Sequence, residues 1–251
     1  MQAQARAFWI ARVLNHQVFA AVIGPPCETW TAARLLLDGP PRLRDELHLW
    51  GLPKITTRQR AQVAFGNRLL AFALDIAAAL YVTGGAMVLE HPGYPHWAMH
   101  LQPASIWRVP LVQQMLALPE IEPCPFDQCV TGQVSVKPTT LMLVRLPEVK
   151  SALLTLGHGG RCHHGAGAHT ASCGKDERGK WRTAQLKVYT PHLCSVLANG
   201  IFAFAEKLVG AGSGQLANNL DPELQLFHRQ PEGTTTEVQP DYVPERLVSR
   251  N

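Results

Sequence analysis

The chain has 251 residues, of which 46% are hydrophobic and 17% charged. That composition is sufficient for the core of one large α/β domain and excludes a wholly disordered chain. The formal net charge of +4 is unevenly distributed, because residues 211–251 hold six acids and three arginines. Residues 1–210 therefore hold 20 basic and 13 acidic residues, a net charge of +7, which permits a nucleic-acid partner without requiring one.

The cysteines and the apolar runs indicate a compartment. The first 13 residues contain two arginines and no sustained apolar core, so we expect no signal peptide. The longest apolar stretch, residues 69–82, is interrupted by Asp75, so we expect no membrane span. The six cysteines are then expected to be reduced thiols in a nuclear or cytoplasmic protein that is not secreted.

The first quarter of the chain predicts a helix, a strand and a loop. Apolar residues at helical spacing predict a helix over 3–14, and the β-branched and aromatic run 18–23 predicts a short buried strand. Prolines and glycines then favour a loop, with short helical pieces at 32–37 and 43–50.

The next segment completes a βαβ pattern. Thr56 or Thr57 is expected to cap a long buried helix that runs to about Tyr81. Two glycines end this helix, and the apolar run 86–90 predicts a second buried strand. Strand, helix and strand in this order are typical of a parallel sheet.

The second half of the chain predicts fewer regular elements. A short helix is expected over about 105–117, two extended segments over 121–145, and a final helix that begins at Pro191 and runs to about Leu208. Residues 157–182, rich in Gly, His and Cys, predict a loop. We assign residues 1–210 to one α/β domain and residues 211–251 to a flexible tail.

A thiol and a carboxyl group follow the two predicted strands. Cys27 ends the segment Gly-Pro-Pro-Cys after the first strand, and Glu90 ends the second. Ligands of open α/β sheets bind at the carboxyl ends of the strands, so neighbouring strands would face both side chains into one crevice. A thiolate adds to an electron-poor carbon, and a carboxyl group that protonates a ring nitrogen makes that carbon more electrophilic. On a pyrimidine, this pair turns C5 into a nucleophile.

Four segments in order resemble the cytosine-5 DNA methyltransferases, in particular a phage- and retroelement-type branch. The segment 24–27 resembles the nucleophile loop, and Glu90-His91-Pro92 resembles the Glu-Asn-Val or Glu-Asn-Pro motif. Residues 126–139, with Phe-Asp-Gln-Cys and Lys-Pro-Thr, resemble the region that follows, and residues 189–194 resemble the closing motif. The resemblance covers about residues 15–205.

The resemblance implies a fold, a reaction and a set of site residues. The fold is a Rossmann-like parallel sheet with flanking helices, and the partner is DNA, whose cytosine leaves the stack. Cys27 would attack C6, Glu90 would engage N3, and S-adenosylmethionine would donate the methyl group. The remaining residues implied to contact the substrate are Pro25, Pro26, His91, Pro92, Lys137 and Thr139.

The chain departs from this family at the methyl-donor site. Only about 17 residues precede the first predicted strand, and they contain no Gly-x-Gly. We therefore expect an amino-terminally truncated domain whose cofactor site is missing or supplied by an additional polypeptide. The alternative is a non-catalytic remnant of a mobile-element polyprotein that binds nucleic acid without turnover.

A cluster of cysteine and histidine in the loop 157–182 leaves a third function open, a zinc-stabilised binding module. The soft ligands suit zinc, but their spacings match no common zinc finger, so we expect no metal and a mobile His-rich loop. If a metal binds, its candidate ligands are Cys162, His164, His169 and Cys173. His163 belongs to the same cluster, and Cys124 and Cys129 could join it.

Overall fold

The computed structural model describes residues 3–36, 39–165, 167–171, 174, 177–180 and 182–210, which form an α/β fold. The helices of this part are α1 (Ala3–Leu14), α2 (Thr57–Val82), α3 (Pro110–Leu116), α4 (Pro147–Leu154) and α5 (Pro191–Gly210). Its strands are β1 (Ala20–Ile23), β2 (Ala86–Pro92), β3 (Ile121–Asp127) and β4 (Pro138–Val144). The predicted tail and Cys173 lie outside the described residues.

The four strands form one open mixed sheet in the order β1-β2-β4-β3. β1 and β2 are parallel, with Ile23 opposite Leu89, which confirms the predicted βαβ unit. β4 runs antiparallel to both β2 and β3, so the prediction of a parallel sheet is wrong for this strand. Only ten residues separate β3 from β4, which is shorter than the crossover that a parallel neighbour needs.

α2 begins where the sequence predicts, because Thr56 forms a capping box. The Thr56 hydroxyl accepts the Gln59 backbone N–H at 3.3 Å, and the Gln59 side chain accepts the Thr56 N–H at 2.9 Å. α2 packs on α1 and β2, and Arg6 of α1 donates to Asp75 at 2.7 Å. Asp75, which interrupts the longest apolar run, thus joins the two helices.

The two faces of β2 pack into different halves of the core. Met87 and Leu89 face the cluster built by α1, α2 and α3. Ala86 and Val88 face the cluster built by β3, β4, α4 and α5. Because successive side chains of a strand point to opposite faces, Glu90 continues the second face and His91 the first.

Two differences from the predicted elements lie in connecting segments. Residues 43–50 form no helix, because the buried guanidinium of Arg44 donates to the Leu49 carbonyl at 2.6 Å and to Thr29 Oγ1 at 2.9 Å. The backbone therefore wraps around this side chain. α4 was not predicted, although Pro147 occupies its first turn, a position that proline favours.

α2 and α5 are, by length and composition, apolar enough to cross a membrane. Core helices of globular proteins share this property, and half of the most apolar 18-residue stretch of α2 is buried within the fold. The absence of a membrane span therefore stays a prediction.

Candidate active site

A cavity of about 730 Å³ opens where β1 and β2 end. The parallel pairing of these strands brings the segment after Ile23 beside Glu90, so both sequence-predicted catalytic residues, Cys27 and Glu90, line the cavity. Five of the six predicted substrate contacts also line it: Pro25, Pro26, His91, Pro92 and Lys137.

Glu90 is held by donors from three other segments of the chain. Its Oε1 accepts from Lys137 Nζ and from Gln128 Nε2, each at 3.2 Å, and its Oε2 accepts from the Tyr189 hydroxyl at 3.3 Å. Burial and the charge of Glu90 raise the pKa of Tyr189, so the phenol remains a donor. The carboxylate at the end of β2 is therefore fixed in position before any substrate enters.

Thr139 does not line the cavity, and the prediction that it contacts substrate is wrong. Its hydroxyl accepts from Gln128 Nε2 at 3.1 Å and donates to the Lys137 carbonyl at 3.0 Å. Thr139 is 1% exposed and lies on the same face of β4 as Leu141 and Leu143, so it holds Gln128 from the buried side. Gln128 is the residue that the sequence did not single out, although it lies within the quoted Phe-Asp-Gln-Cys segment.

The approach of Tyr189 to Glu90 requires a glycine at position 24. A Cβ at Gly24 would lie 2.8 Å from the Tyr189 hydroxyl and 3.4 Å from Glu90 Oε2. Any other residue would displace the Tyr189 hydroxyl. The glycine of the Gly-Pro-Pro-Cys segment therefore serves the packing of the site.

The Cys27 thiol is neutral in the resting site. Burial raises its pKa above the ordinary 9.0, the negative charges of Glu28 and Glu90 raise it further, and Lys137 opposes them. Glu28 itself is paired with Lys187, whose Nζ lies 2.6 Å from Glu28 Oε1. The nucleophilic form of Cys27 is therefore a minor species at neutral pH.

His91 occupies the opposite face of β2 from Glu90. Its ring lies between Trp30 and Trp107, with ring centroids 6.3 and 6.4 Å away in edge-to-face geometry. Burial lowers the pKa of His91 to about 3, and the positive charges of Arg44 and Lys137 lower it in the same direction. His91 is therefore a neutral part of the cavity wall.

Beside the cavity, the chain assembles four metal-ligating side chains. The ligand atoms of Cys129, Cys162, His164 and His169 all lie within 4.8 Å of one another. Three of these residues are the sequence candidates, and the fourth is Cys129, which the sequence left open as a residue that could join them; Cys173 lies outside the described residues. Cys124 does not join them, because it packs in the apolar core between the sheet and α5.

The residues around the cavity do not fit S-adenosylmethionine. Within the described residues, the loop that follows β1 is the Gly-Pro-Pro-Cys segment itself, and its Pro25 and Pro26 have no backbone N–H with which a glycine-rich loop would cradle the donor. β1 is also the edge strand of the sheet, so no further described strand supplies such a loop beside it.

The motif resemblance is not accompanied by an overall match. No protein-family model, no curated protein and no solved structure matches this chain. The resemblance to the cytosine-5 methyltransferases therefore extends no further than the quoted motifs.

Proposed function

We propose that the cavity binds a pyrimidine base turned out of a nucleic-acid strand, and that Cys27 adds to C6 of this base as in a DNA cytosine-5 methyltransferase. The observation that carries the proposal is the convergence of a thiol from the end of β1 and an anchored carboxylate from the end of β2 on one cavity. Its volume of about 730 Å³ accommodates a nucleobase and part of its sugar.

The reaction begins with loss of the Cys27 proton to solvent. A bond then forms between Cys27 Sγ and C6, and the electron pair of the C5–C6 double bond moves into the ring. A proton shared between Glu90 and N3 neutralises the charge that develops there, while Lys137 keeps the carboxylate in place. Carbon C5 becomes nucleophilic and takes a proton from water. The original C5 proton then leaves to water, the C5–C6 double bond forms again as the Sγ–C6 bond breaks, and the Cys27 thiolate is regenerated.

Methyl transfer lies outside what this chain does alone. S-adenosylmethionine supplies the methyl group in the resembled family, and the residues around this cavity do not fit it. We propose that an additional polypeptide contributes the donor site. The base-activation step is therefore the part of the reaction that is assigned to this chain.

Exchange of the C5 hydrogen tests the proposal without a methyl donor. Single-stranded and duplex DNA with tritium at cytosine C5 should release tritium to water in the presence of the full chain. The rate should rise about tenfold per pH unit from about pH 6 to about pH 8, because the pKa of Cys27 lies above this range. Cys27→Ser should abolish release.

Cys194→Ser is the matched control, since Cys194 is exposed on α5 away from the cavity lining. This variant should release tritium at the rate of the unmodified chain. Release that survives in Cys27→Ser, or that is equally reduced in both variants, would contradict the assignment of Cys27 as nucleophile.

One observation favours a second function, base binding without turnover. The raised pKa of Cys27 leaves little thiolate at neutral pH, as expected of a remnant that keeps the pocket but not the chemistry. In that case, cytosine-containing DNA would protect Cys27 from alkylation, yet no tritium would be released at any pH.

A further inference from the structure

The spacing of four ligand atoms beside the cavity is that of a tetrahedral metal site. Cys162 Sγ lies 3.6 Å from His164 Nδ1 and 3.1 Å from His169 Nε2, and Cys129 Sγ completes a set within 4.8 Å. Sulfur at ~2.3 Å and nitrogen at ~2.0 Å from a central zinc ion are separated from each other by about 3.3–3.8 Å. The ligand atoms therefore need only small movements to surround an ion.

The first part of the ligand-bearing loop is fixed to the sheet by its backbone. The Cys162 N–H donates to Asp127 Oδ2 at 2.9 Å, and the Asp127 N–H donates to the Gly160 carbonyl at 2.9 Å. Asp127 is the last residue of β3, and the turn that carries Cys129 follows it directly. Cys162 is thus held beside Cys129 by bonds that involve no metal.

The far end of the same loop is fixed to the segment between β3 and β4. The Thr170 N–H donates to the Val134 carbonyl at 3.0 Å, and the Ser135 hydroxyl donates to the Thr170 carbonyl at 2.6 Å. These bonds hold the backbone next to His169, whose Nε2 lies 3.1 Å from Cys162 Sγ. The ligand set is therefore preorganised from both sides.

We propose that Cys129, Cys162, His164 and His169 bind one Zn²⁺ ion in a closed tetrahedral site. Two thiolates and two imidazoles are a donor set that suits zinc rather than magnesium or calcium, which prefer oxygen. Four protein ligands leave no open position for water, so the ion is structural. Asp127, the neighbouring carboxylate, is already occupied by the Cys162 amide.

The zinc ion would support the cavity wall from behind. Cys129 directly follows Gln128, whose amide donates to Glu90 and to Thr139. The ion would hold the turn Gln128–Thr131 in place and fasten the loop that carries Arg161, another residue of the cavity wall. The ion can bind whether or not the cavity carries out the proposed reaction.

Metal analysis of the purified full chain tests the site. We expect one zinc per chain by mass spectrometry, retained through gel filtration. Cys129→Ser and His169→Ala should lose it, whereas Cys194→Ser and Cys173→Ser should retain it. The Cys173 variant is decisive, because loss of zinc in Cys173→Ser with retention in Cys129→Ser would overturn the ligand assignment.

The visible spectrum of the cobalt-substituted, unmodified chain tests the site without relying on the folding of a variant. After zinc is exchanged for Co²⁺, we expect the intense visible bands of tetrahedral cobalt and a sulfur-to-cobalt charge-transfer band of the strength of two thiolates. The weak spectrum of octahedral cobalt, or the absence of stoichiometric binding of either metal, would overturn the proposal.

Discussion

Two consecutive residues at the end of β2 show how side-chain alternation divides the site. Glu90 faces Gln128, Lys137 and Tyr189, all of which donate to its carboxylate. His91 faces the aromatic rings of the opposite face and remains neutral. One face of the strand end therefore carries the hydrogen-bonded carboxylate, and the other face forms an uncharged, largely aromatic part of the cavity wall.

The burial of His91 makes folding stability depend on pH. Its pKa is about 3 in the folded chain and 6.5 when unfolded, so between these values the unfolded chain binds one more proton. The free energy of unfolding should therefore fall as pH drops below about 6.5, by roughly 3–5 kcal/mol over the window. Urea unfolding of the unmodified chain and of His91→Asn at several pH values measures this contribution.

His91→Asn should flatten the pH dependence, whatever it does to stability at neutral pH. His100→Asn is the control, because His100 is exposed and should leave the slope unchanged. Equal slopes in the two variants would show that His91 is not the group responsible.

At the scale of elements, α4 and α5 approach closely on the face of the sheet opposite α2. A Cβ at Gly200 of α5 would lie 2.2 Å from Val149 Cγ2 of α4. Val149 and Gly200 are both buried, so neither helix can shift without opening the core. The close contact between the helices is possible because glycine at position 200 has no side chain.

Gly200→Ala should lower the free energy of unfolding by about 1–3 kcal/mol, because the overlap with Val149 outweighs the helix propensity of alanine. The double variant Gly200→Ala/Val149→Ala should lose less free energy of unfolding than the two single variants lose together, by about 1–2 kcal/mol. Denaturant unfolding measures all three.

Gly210→Ala provides the matched control, since a Cβ there meets nothing within 4 Å. It should leave stability unchanged or slightly increase it. Additive effects of the changes at positions 149 and 200 would refute the proposed steric conflict.

At the scale of the whole molecule, the cavity is assembled from segments far apart in the chain, and its wall carries basic residues. Arg161 and Lys187 line it with side chains that are 52% and 58% exposed. Glu28, Glu90 and Asp127 line the cavity as well, but residues 1–210 carry a net charge of +7, so a nucleic-acid strand that reached the cavity would meet the exposed ends of Arg161 and Lys187.

Binding of a single-stranded oligonucleotide should therefore weaken with salt. Lys187→Ala and Arg161→Ala should each lower affinity and reduce the slope of log affinity against log salt by about one. Lys54→Ala, an exposed lysine outside the cavity lining, should change neither quantity. Fluorescence anisotropy at a series of salt concentrations measures the slopes, and equal losses in all three variants would argue against binding at the cavity.

Features that depend on neighbouring residues were predictable. The capping box at Thr56, the βαβ unit and the positions of Cys27 and Glu90 at strand ends follow from local patterns. Turn residues, helix caps and apolar periodicity act over a few positions, so the chain reveals them without its fold. These patterns were sufficient to place a thiol and a carboxylate at one cavity.

Features that depend on long-range packing were not predictable. The pairing of β4 with β2, the anchoring of Glu90 by Gln128, and the position of Cys129 rather than Cys124 beside Cys162, which the sequence left open, each join segments distant in sequence. The residues next to an amide or a thiol in the sequence do not indicate which distant side chain it will contact. The sequence by itself therefore determined which chemical groups end the strands, and only the tertiary structure decided which side chains hold them, because such contacts are set by the packing of remote segments.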